Sequence, residues 1–239
     1  MNVSVHPTSD AANVKAAELF AQWLTTPGVR NVMLATGNTP LELYRLISER
    51  RPSLGHLNVF ALDEYVGVRL DHPRNCANVL RRTAIAPWGV PAKHFFSVSS
   101  VEADALDSVQ AHERRIAEAG GIDAIVLGLG QNGHLGFNEP GIVEDSVAHV
   151  QHLDTISIEA NRKWFEGEYA PSRGVTVGLK TILSAQRILI MAYGMHKTAA
   201  VKAMLEGPRT IDCPGSLLQG HGNVNVFLDE RAAAGLTRK

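Results

Sequence analysis

The sequence contains few cysteines and no cysteine pattern typical of a metal or redox site. Cys76 and Cys213 are the only two among 239 residues, and they lie far apart, outside any CxxC motif. This spacing does not fit a zinc site. We therefore expect two buried thiols without a chemical role.

The sequence also lacks an excess of one charge and any long apolar run. Lysine plus arginine number 23 against 24 for aspartate plus glutamate, so the formal net charge is -1. Without a basic block we expect no nucleic-acid and no membrane partner, although a small anionic substrate needs only a few local cations. No run of about 18 apolar residues occurs, and the first ten residues do not resemble a signal peptide. These absences predict a soluble, cytoplasmic protein.

No linker, low-complexity tract or internal repeat divides the chain. Hydrophobic residues make up 45% and charged residues 20%, values that argue against disorder. Because α/β sheets of this length often form one domain, we expect a single domain over residues 1–239.

Short apolar or β-branched runs alternate with segments of helical period, which predicts an α/β fold with a doubly wound, mostly parallel sheet. Several runs are apolar on both faces, as in strands that are covered on both sides. The expected strands are 2–5, 31–36, 57–62, 122–129, 149–153, 187–193 and 223–228. The expected helices are 10–24, 40–48, 101–119 and 196–205.

Residues 158–174, IEANRKWFEGEYAPSRG, interrupt this alternation because they are polar and aromatic without a clean period. Two interpretations stay open: a mobile flap over an active site, or a solvated surface excursion.

Ligands of open α/β sheets bind beyond the carboxyl ends of the strands, so the residues after each run are the candidates. Gly37, Asn38 and Thr39 follow one strand and precede Pro40, which suits the first turn of a helix. Glu42, three residues after Thr39, suggests a capping box. Free N–H groups and the helix dipole at this turn predict a phosphate or carboxylate site, and Gly37 would let the backbone approach the ligand.

Asp63 and Glu64 directly follow the next apolar run. Consecutive side chains at a strand end point in different directions, so we expect one to face the crevice and the other to join a structural network. The carboxylate in the crevice is a candidate general base.

The stretch LGLGQNGHLGFNEPG, residues 127–141, allows two interpretations. Residues 128–133 match G-x-G-x-x-G, and Asp154 lies about where a ribose-binding acid would be sought. A dinucleotide site would need a long helix after these glycines, which Pro140 and Gly141 interrupt. The alternative is a loop built around one histidine.

Asn132, His134 and Glu139 lie within eight positions of this loop. Imidazole titrates near neutrality, and a nearby carboxylate or amide can fix its tautomer, so the trio suits proton transfer. One histidine and one glutamate are too few ligands for a metal, and no HExxH motif is present. Lys197, after the run ending near Tyr193, could reach the same crevice, although it could also be a solvated surface lysine.

Taken in order, TGNTP, LDEYVG, GQNGHLGFNEP and the late K...EG resemble the glucosamine-6-phosphate deaminase (isomerase) family, whose fold is shared by 6-phosphogluconolactonase. The resemblance implies a modified Rossmann-like fold of the sugar-phosphate isomerase type. It also implies conversion of an amino-sugar 6-phosphate to a ketose 6-phosphate and ammonia, without metal or organic cofactor.

By position, the resemblance implies that Asp63 moves the proton between C2 and C1, and that His134, positioned by Glu139 and Asn132, assists ring opening. Many family members have aspartate at the position of Asn132. The phosphate ligands that it implies are Gly37, Asn38, Thr39 and Lys197, with either Arg162 or Lys163 completing the pocket.

Glucosamine 6-phosphate is the expected substrate, and several alternatives stay open. Galactosamine 6-phosphate differs at one hydroxyl that the sequence does not place. A 6-phosphogluconolactonase typically lacks FNEP, which is present here. A sugar-phosphate sensor would need no catalysis, and a regulator would need a DNA-binding module before the first strand. The resemblance also leaves a homo-oligomer open.

Overall fold

The computed structural model describes residues 1–237. Its main sheet has seven strands in the order β1-β10-β9-β6-β2-β3-β5, and each neighbouring pair is parallel. The strands are β1 (Asn2–His6), β2 (Asn31–Leu34), β3 (Asn58–Ala61), β5 (Phe95–Phe96), β6 (Ala124–Gly128), β9 (Ile188–Ala192) and β10 (Val224–Asp229). The predicted α/β fold with a doubly wound, mostly parallel sheet is confirmed.

Helices cover both faces of this sheet, because neighbouring strand residues point to opposite sides. In β2, Val32 and Leu34 pack in one apolar cluster, while Met33 between them packs in the other. Burial on both faces explains the continuous apolar runs of the sequence. The helices are α1 (Ser9–Leu24), α2 (Asn38–Glu49), α3 (Cys76–Leu80), α4 (Ala105–Glu118), α5 (Thr155–Trp164), α6 (Leu179–Leu183) and α7 (Thr198–Glu206).

A second, antiparallel sheet stands beside the first in the order β4-β8-β7. Its strands are β4 (Asp63–Tyr65), β8 (Arg173–Thr176) and β7 (His149–His152). The predicted strand at 149–153 is therefore present, although it belongs to this small sheet. Strands β4, β5 and β8 were not predicted, because each has only two to four residues and β4 consists of Asp, Glu and Tyr.

The predicted capping box at the start of α2 is wrong. The helix begins at Asn38, two residues before the expected start at Pro40, so Thr39 lies inside it. Gly37 is the N-cap, and no side chain caps this end. Glu42 instead pairs with Arg45 at 2.6 Å on the exposed face of the helix. The N-terminal N–H groups of α2 therefore face the crevice without a capping side chain.

Residues 158–174 contain more regular structure than their sequence suggests. Most of the first half belongs to α5, whose N-cap Asp154 accepts a hydrogen bond from the Ile156 backbone N–H at 2.9 Å. Arg173 begins β8. The helix was missed because its buried positions, Ser157 and Asn161, are polar and hide the period. That this segment moves as a flap stays a prediction.

The strand order reverses between the neighbouring strands β2 and β6. After β2 the chain continues to β3 and β5 on one side of the sheet, and after β6 it continues to β9 and β10 on the other side. At such a switch point the loops after the two strands diverge and open a crevice. Within residues 1–237, no helix is long and apolar enough to cross a membrane.

Candidate active site

A cavity of about 280 Å³ opens at this switch point. Its walls come from the loops after β2, β3, β6 and β9, and from one face of α5. Segments that are far apart in the sequence therefore meet in one site. The lining side chains that carry polar or ionisable groups are Thr36, Asn38, Thr39, Asp63, Tyr65, Gln131, His134, Ser157, Asn161, Trp164, His196 and Lys197.

One end of the cavity is suited to an anion. Gly37, Asn38 and Thr39, at the N-terminus of α2, line it together with Lys197. Gly37 has φ +93°, a backbone conformation that L side chains rarely adopt. The helix dipole and the N–H groups of α2 favour negative charge at this point.

Lys197 is held inward rather than in solvent. Its Nζ donates a hydrogen bond to the Leu129 carbonyl oxygen at 2.6 Å. Burial lowers the pKa of Lys197 to about 8. The structure thus excludes the interpretation of Lys197 as a solvated surface lysine.

Asp63 and Glu64 separate as expected. Asp63 lines the cavity, whereas the Glu64 carboxylate accepts backbone hydrogen bonds from Tyr65, Cys76 and Ala77 at 2.8, 3.0 and 3.1 Å. Two of these donors belong to the start of α3, so Glu64 ties β4 to that helix.

Burial and the neighbouring Glu64 carboxylate raise the pKa of Asp63 to about 8. Burial also raises the pKa of Glu64, to about 7, although its three backbone hydrogen bonds oppose that rise. The better hydrogen-bonded Glu64 ionises first, and its charge then holds the proton on Asp63. Asp63 is therefore a buried acid whose proton is exchangeable near neutral pH.

His134 faces the cavity and is held from behind by Glu139. The His134 Nδ1 lies 3.3 Å from Glu139 Oε2, and Glu139 is buried. Asn132 Nδ2 donates to the same Oε2 at 2.7 Å. The predicted trio is therefore assembled. The Asn132 side chain contacts only the backbone of His134: Asn132 Oδ1 accepts a hydrogen bond from the His134 N–H at 3.3 Å.

Glu139 remains ionised despite its position. Burial raises its pKa, but hydrogen bonds and charge from His134, with further hydrogen bonds from Ser157 and Asn132, lower it to about 2. A carboxylate facing Nδ1 stabilises the tautomer in which Nδ1 carries the proton. The other ring nitrogen, Nε2, is then free to accept a proton.

Gly130 gives His134 its position. A Cβ built on Gly130 would lie 2.4 Å from the His134 ring atoms Cγ and Nδ1. No larger residue fits there while the ring keeps its place. This close approach explains one glycine of the loop without any bound dinucleotide.

The dinucleotide interpretation fails, as the sequence had suggested. The loop after β6 runs to β7 without a helix, and Asp154 caps α5, the next helix along the chain. Among residues 1–237, no three His, Cys, Asp or Glu side chains lie close enough together to hold a metal ion. A site without metal or cofactor stays a prediction.

Arg162 and Lys163 do not line the cavity, and both are exposed on α5. The charge of Lys163, after burial and the charge of Lys197, contributes to lowering the pKa of His196. His196 itself lines the anion end of the cavity.

Ser157 and His196 are the principal site residues that the sequence did not indicate. Ser157 belongs to a helix that the sequence did not predict. His196 was not predicted because the neighbouring Lys197 was the expected ligand at this strand end. A buried serine at the spacing of Asn161 was the only available signal for α5.

Both cysteines are buried and unpaired, as predicted. The Cys76 sulfur accepts a hydrogen bond from Thr36 Oγ1 at 3.0 Å. Cys76 therefore supports a cavity wall.

Comparison with known proteins identifies the family of the chain. A model of the family described as glucosamine-6-phosphate isomerases/6-phosphogluconolactonase matches residues 6–226. The chain is 36% identical to a glucosamine-6-phosphate deaminase of Rhodopirellula baltica, over 100% of this chain and 97% of the relative. It is also 36% identical to a glucosamine-6-phosphate deaminase of Enterococcus faecalis, over 93% of this chain and 94% of the relative.

Solved structures show the same fold. A monomeric glucosamine-6-phosphate deaminase superposes with a TM-score of 0.94 at 30% identity, over 99% of this chain and 100% of that one. The 6-phosphogluconolactonase of Trypanosoma brucei superposes with a TM-score of 0.80 at 22% identity, over 99% and 98% of the two chains. The second likeness shows the fold alone. From the family match and its relatives, the chain belongs to the glucosamine-6-phosphate isomerase/6-phosphogluconolactonase family.

Proposed function

We propose that the protein is a glucosamine-6-phosphate deaminase, which converts glucosamine 6-phosphate and water to fructose 6-phosphate and ammonia. One observation carries the proposal: a single cavity joins a helix N-terminus suited to an anion and a half-buried lysine to a carboxylate and a histidine–glutamate pair. The full-length relatives bearing this name support it. A hexose phosphate would need the anion-binding end for its phosphate and the carboxylate and histidine for its reacting carbons.

The phosphate is the anchor. It carries a charge between −1.5 and −2 at neutral pH, which the N-terminus of α2 and Lys197 offset. Gly37, Asn38 and Thr39 supply backbone and side-chain donors, and Lys163, whose charge acts on His196, adds a further cation. Anchoring one end orders the reacting end without further binding groups.

His134 opens the sugar ring. Its Nε2 takes the proton of the C1 hydroxyl and delivers a proton to the ring oxygen while the C1–O5 bond breaks. The product is the open-chain aldehyde. Glu139 keeps Nδ1 protonated and stabilises the positive charge that the ring carries between these transfers.

Asp63 then moves a proton along the open chain. As a carboxylate it removes the C2 proton while the aldehyde oxygen takes a proton from solvent, which gives an enolamine. Asp63 returns its proton to C1, leaving an iminium at C2. Water adds at C2 and gives up one proton to solvent, and ammonia then departs from the carbinolamine as the C2 carbonyl forms. A base with a pKa near 8 is strong enough for a carbon acid and is regenerated at the working pH.

The test is ammonia release from glucosamine 6-phosphate and galactosamine 6-phosphate in parallel. Activity on the first that falls at least about 10³-fold in Asp63→Asn supports the proposal. Faster release from galactosamine 6-phosphate would show that the substrate is the other epimer. Release from neither substrate would contradict the proposed activity. In the same assay Lys163→Gln should raise KM about tenfold, while Arg162→Gln, its exposed neighbour, should not.

A further inference from the structure

Ser157 bridges the two members of the histidine–glutamate pair. It is buried, and its Oγ donates to Glu139 Oε1 at 2.6 Å. The same Oγ lies 3.4 Å from His134 Nδ1. A hydroxyl has one proton, and the carboxylate takes it here, so the oxygen lone pairs of Ser157 face the Nδ1–H. The serine thus contacts both residues in the protonation state that ring opening requires.

The hydrogen-bond donors to one carboxylate oxygen of Glu139, Oε1, come from the N-terminus of α5. Besides Ser157, the backbone N–H of Asp154 donates to Oε1 at 3.3 Å. The other oxygen, Oε2, is held by Asn132 and His134 on the loop after β6. The Glu139 carboxylate is therefore held between the loop after β6 and the helix α5. Its orientation depends on where α5 lies.

The same helix also lines the cavity. Asn161 and Trp164, further along α5, contribute to its wall. The charge of Lys163 contributes to lowering the pKa of His196, which lines the cavity as well. One helix thus both lines the cavity and supports His134 through Glu139.

We infer that Ser157 is a positioning residue, which sets the His134–Glu139 pair for ring opening and makes that geometry depend on the docking of α5. The inference rests on the proposed function. Ser157 keeps its own proton throughout: the proton that moves passes from the C1 hydroxyl to the ring oxygen by way of His134. Without the serine, Oε1 loses its shortest hydrogen bond and the carboxylate is free to turn away from Nδ1.

The test compares Ser157→Ala and Ser157→Thr with Thr155→Ala, which removes an exposed hydroxyl from the same turn. Ser157→Ala should lower kcat about tenfold and leave KM within about twofold, since the phosphate anchor is intact. Ser157→Thr, which restores the hydroxyl, should recover most of the loss. Thr155→Ala should behave as the wild type.

A binding measurement separates positioning from a merely structural role. The reduced, open-chain aminohexitol 6-phosphate has no ring to open, so Ser157→Ala should bind it as tightly as the wild type does. An unchanged kcat in Ser157→Ala, or a parallel loss of kcat and of aminohexitol affinity, would overturn the inference. Failure of the proposed function looks different, because the wild type itself would then release no ammonia.

Discussion

Asp63 illustrates at the scale of a single residue how the site is made reactive. Its carboxylate is buried and has the Glu64 carboxylate nearby, and both effects disfavour its charged form. An ordinary aspartate, with a pKa near 3.9, is a weaker base toward a carbon-bound proton. The fold therefore tolerates an unfavourable position in order to obtain a stronger base.

Asp63→Asn should make the protein more stable at alkaline pH while it abolishes activity. The folded pKa, about 8, is above the unfolded value, so folding takes up a proton between about pH 4 and pH 8. Stability then falls as pH rises through that window, by at most about 1.4 kcal/mol per unit. Asparagine does not titrate, so the melting temperature of the variant should exceed that of the wild type on the order of 5 °C more at pH 8 than at pH 5.

Asp71→Asn is the matched control for this stability difference. Asp71 is exposed, and the hydrogen bond from Arg69 lowers its pKa, so its removal should give no gain that grows between pH 5 and pH 8. A melting-temperature difference between wild type and Asp63→Asn that is the same at pH 5 and at pH 8 would show that Asp63 ionises normally.

Helix ends decide the chemistry at the scale of secondary structure. The N-terminus of α2 faces the anion end without a capping side chain, and the N-terminus of α5 holds Glu139. Each terminus supplies N–H donors and positive potential to a negative group. The donors of α2 face the cavity, whereas those of α5 bind a carboxylate of the protein itself.

Gly37→Ala should weaken phosphate binding through the backbone. A Cβ at Gly37 would meet no atom within 4 Å, but φ is +93°, so the cost is strain of about 1–3 kcal/mol. Relief of that strain would rotate the first N–H groups of α2, and KM should rise about tenfold. Steady-state kinetics and chemical denaturation measure the two effects.

Gly28→Ala separates strain from function. Gly28 has φ +92°, also with open space around it, and lies outside the cavity. It should lose similar stability and keep its KM. If KM rises equally in both variants, the effect of Gly37 is a general loss of stability rather than lost contact with phosphate.

At the scale of the whole molecule, the cavity changes the titration of both ends of the site. Burial raises the pKa of Asp63 and lowers that of Lys197, each to about 8, because the crevice excludes water from charged groups. The active form needs Asp63 as carboxylate and Lys197 as ammonium. The two requirements overlap only in a narrow range.

The profile of kcat/KM against pH should therefore be a narrow bell centred near pH 8. Its acid limb follows Asp63 and its alkaline limb follows Lys197, both in the free enzyme. Lys197→Arg keeps the cation but cannot lose its proton below about pH 12. In that variant the alkaline limb should move to higher pH while the acid limb stays. A limb that does not move would assign it to another group, such as the amine of the substrate.

Much of this molecule could be predicted from the sequence, because its main signals are local. Strands covered on both faces must be apolar throughout, so β2, β6 and β9 are visible as runs. The loop of His134 stands out by its glycines and its polar residues. The elements that were missed depend on partners: β4 is a strand only because β8 lies beside it, and α5 buries polar rather than apolar side chains.

The sequence by itself determined the alternation of strands and helices, and the residues that follow each strand, since period and turn chemistry are properties of neighbouring residues. The tertiary structure decided which of those residues meet. Only packing shows that Lys197 turns inward to Leu129, that Asn132 bonds Glu139, and that Ser157 completes the pair. It also sets the pKa of Asp63, because desolvation depends on everything that surrounds a group in space and not on its neighbours along the chain.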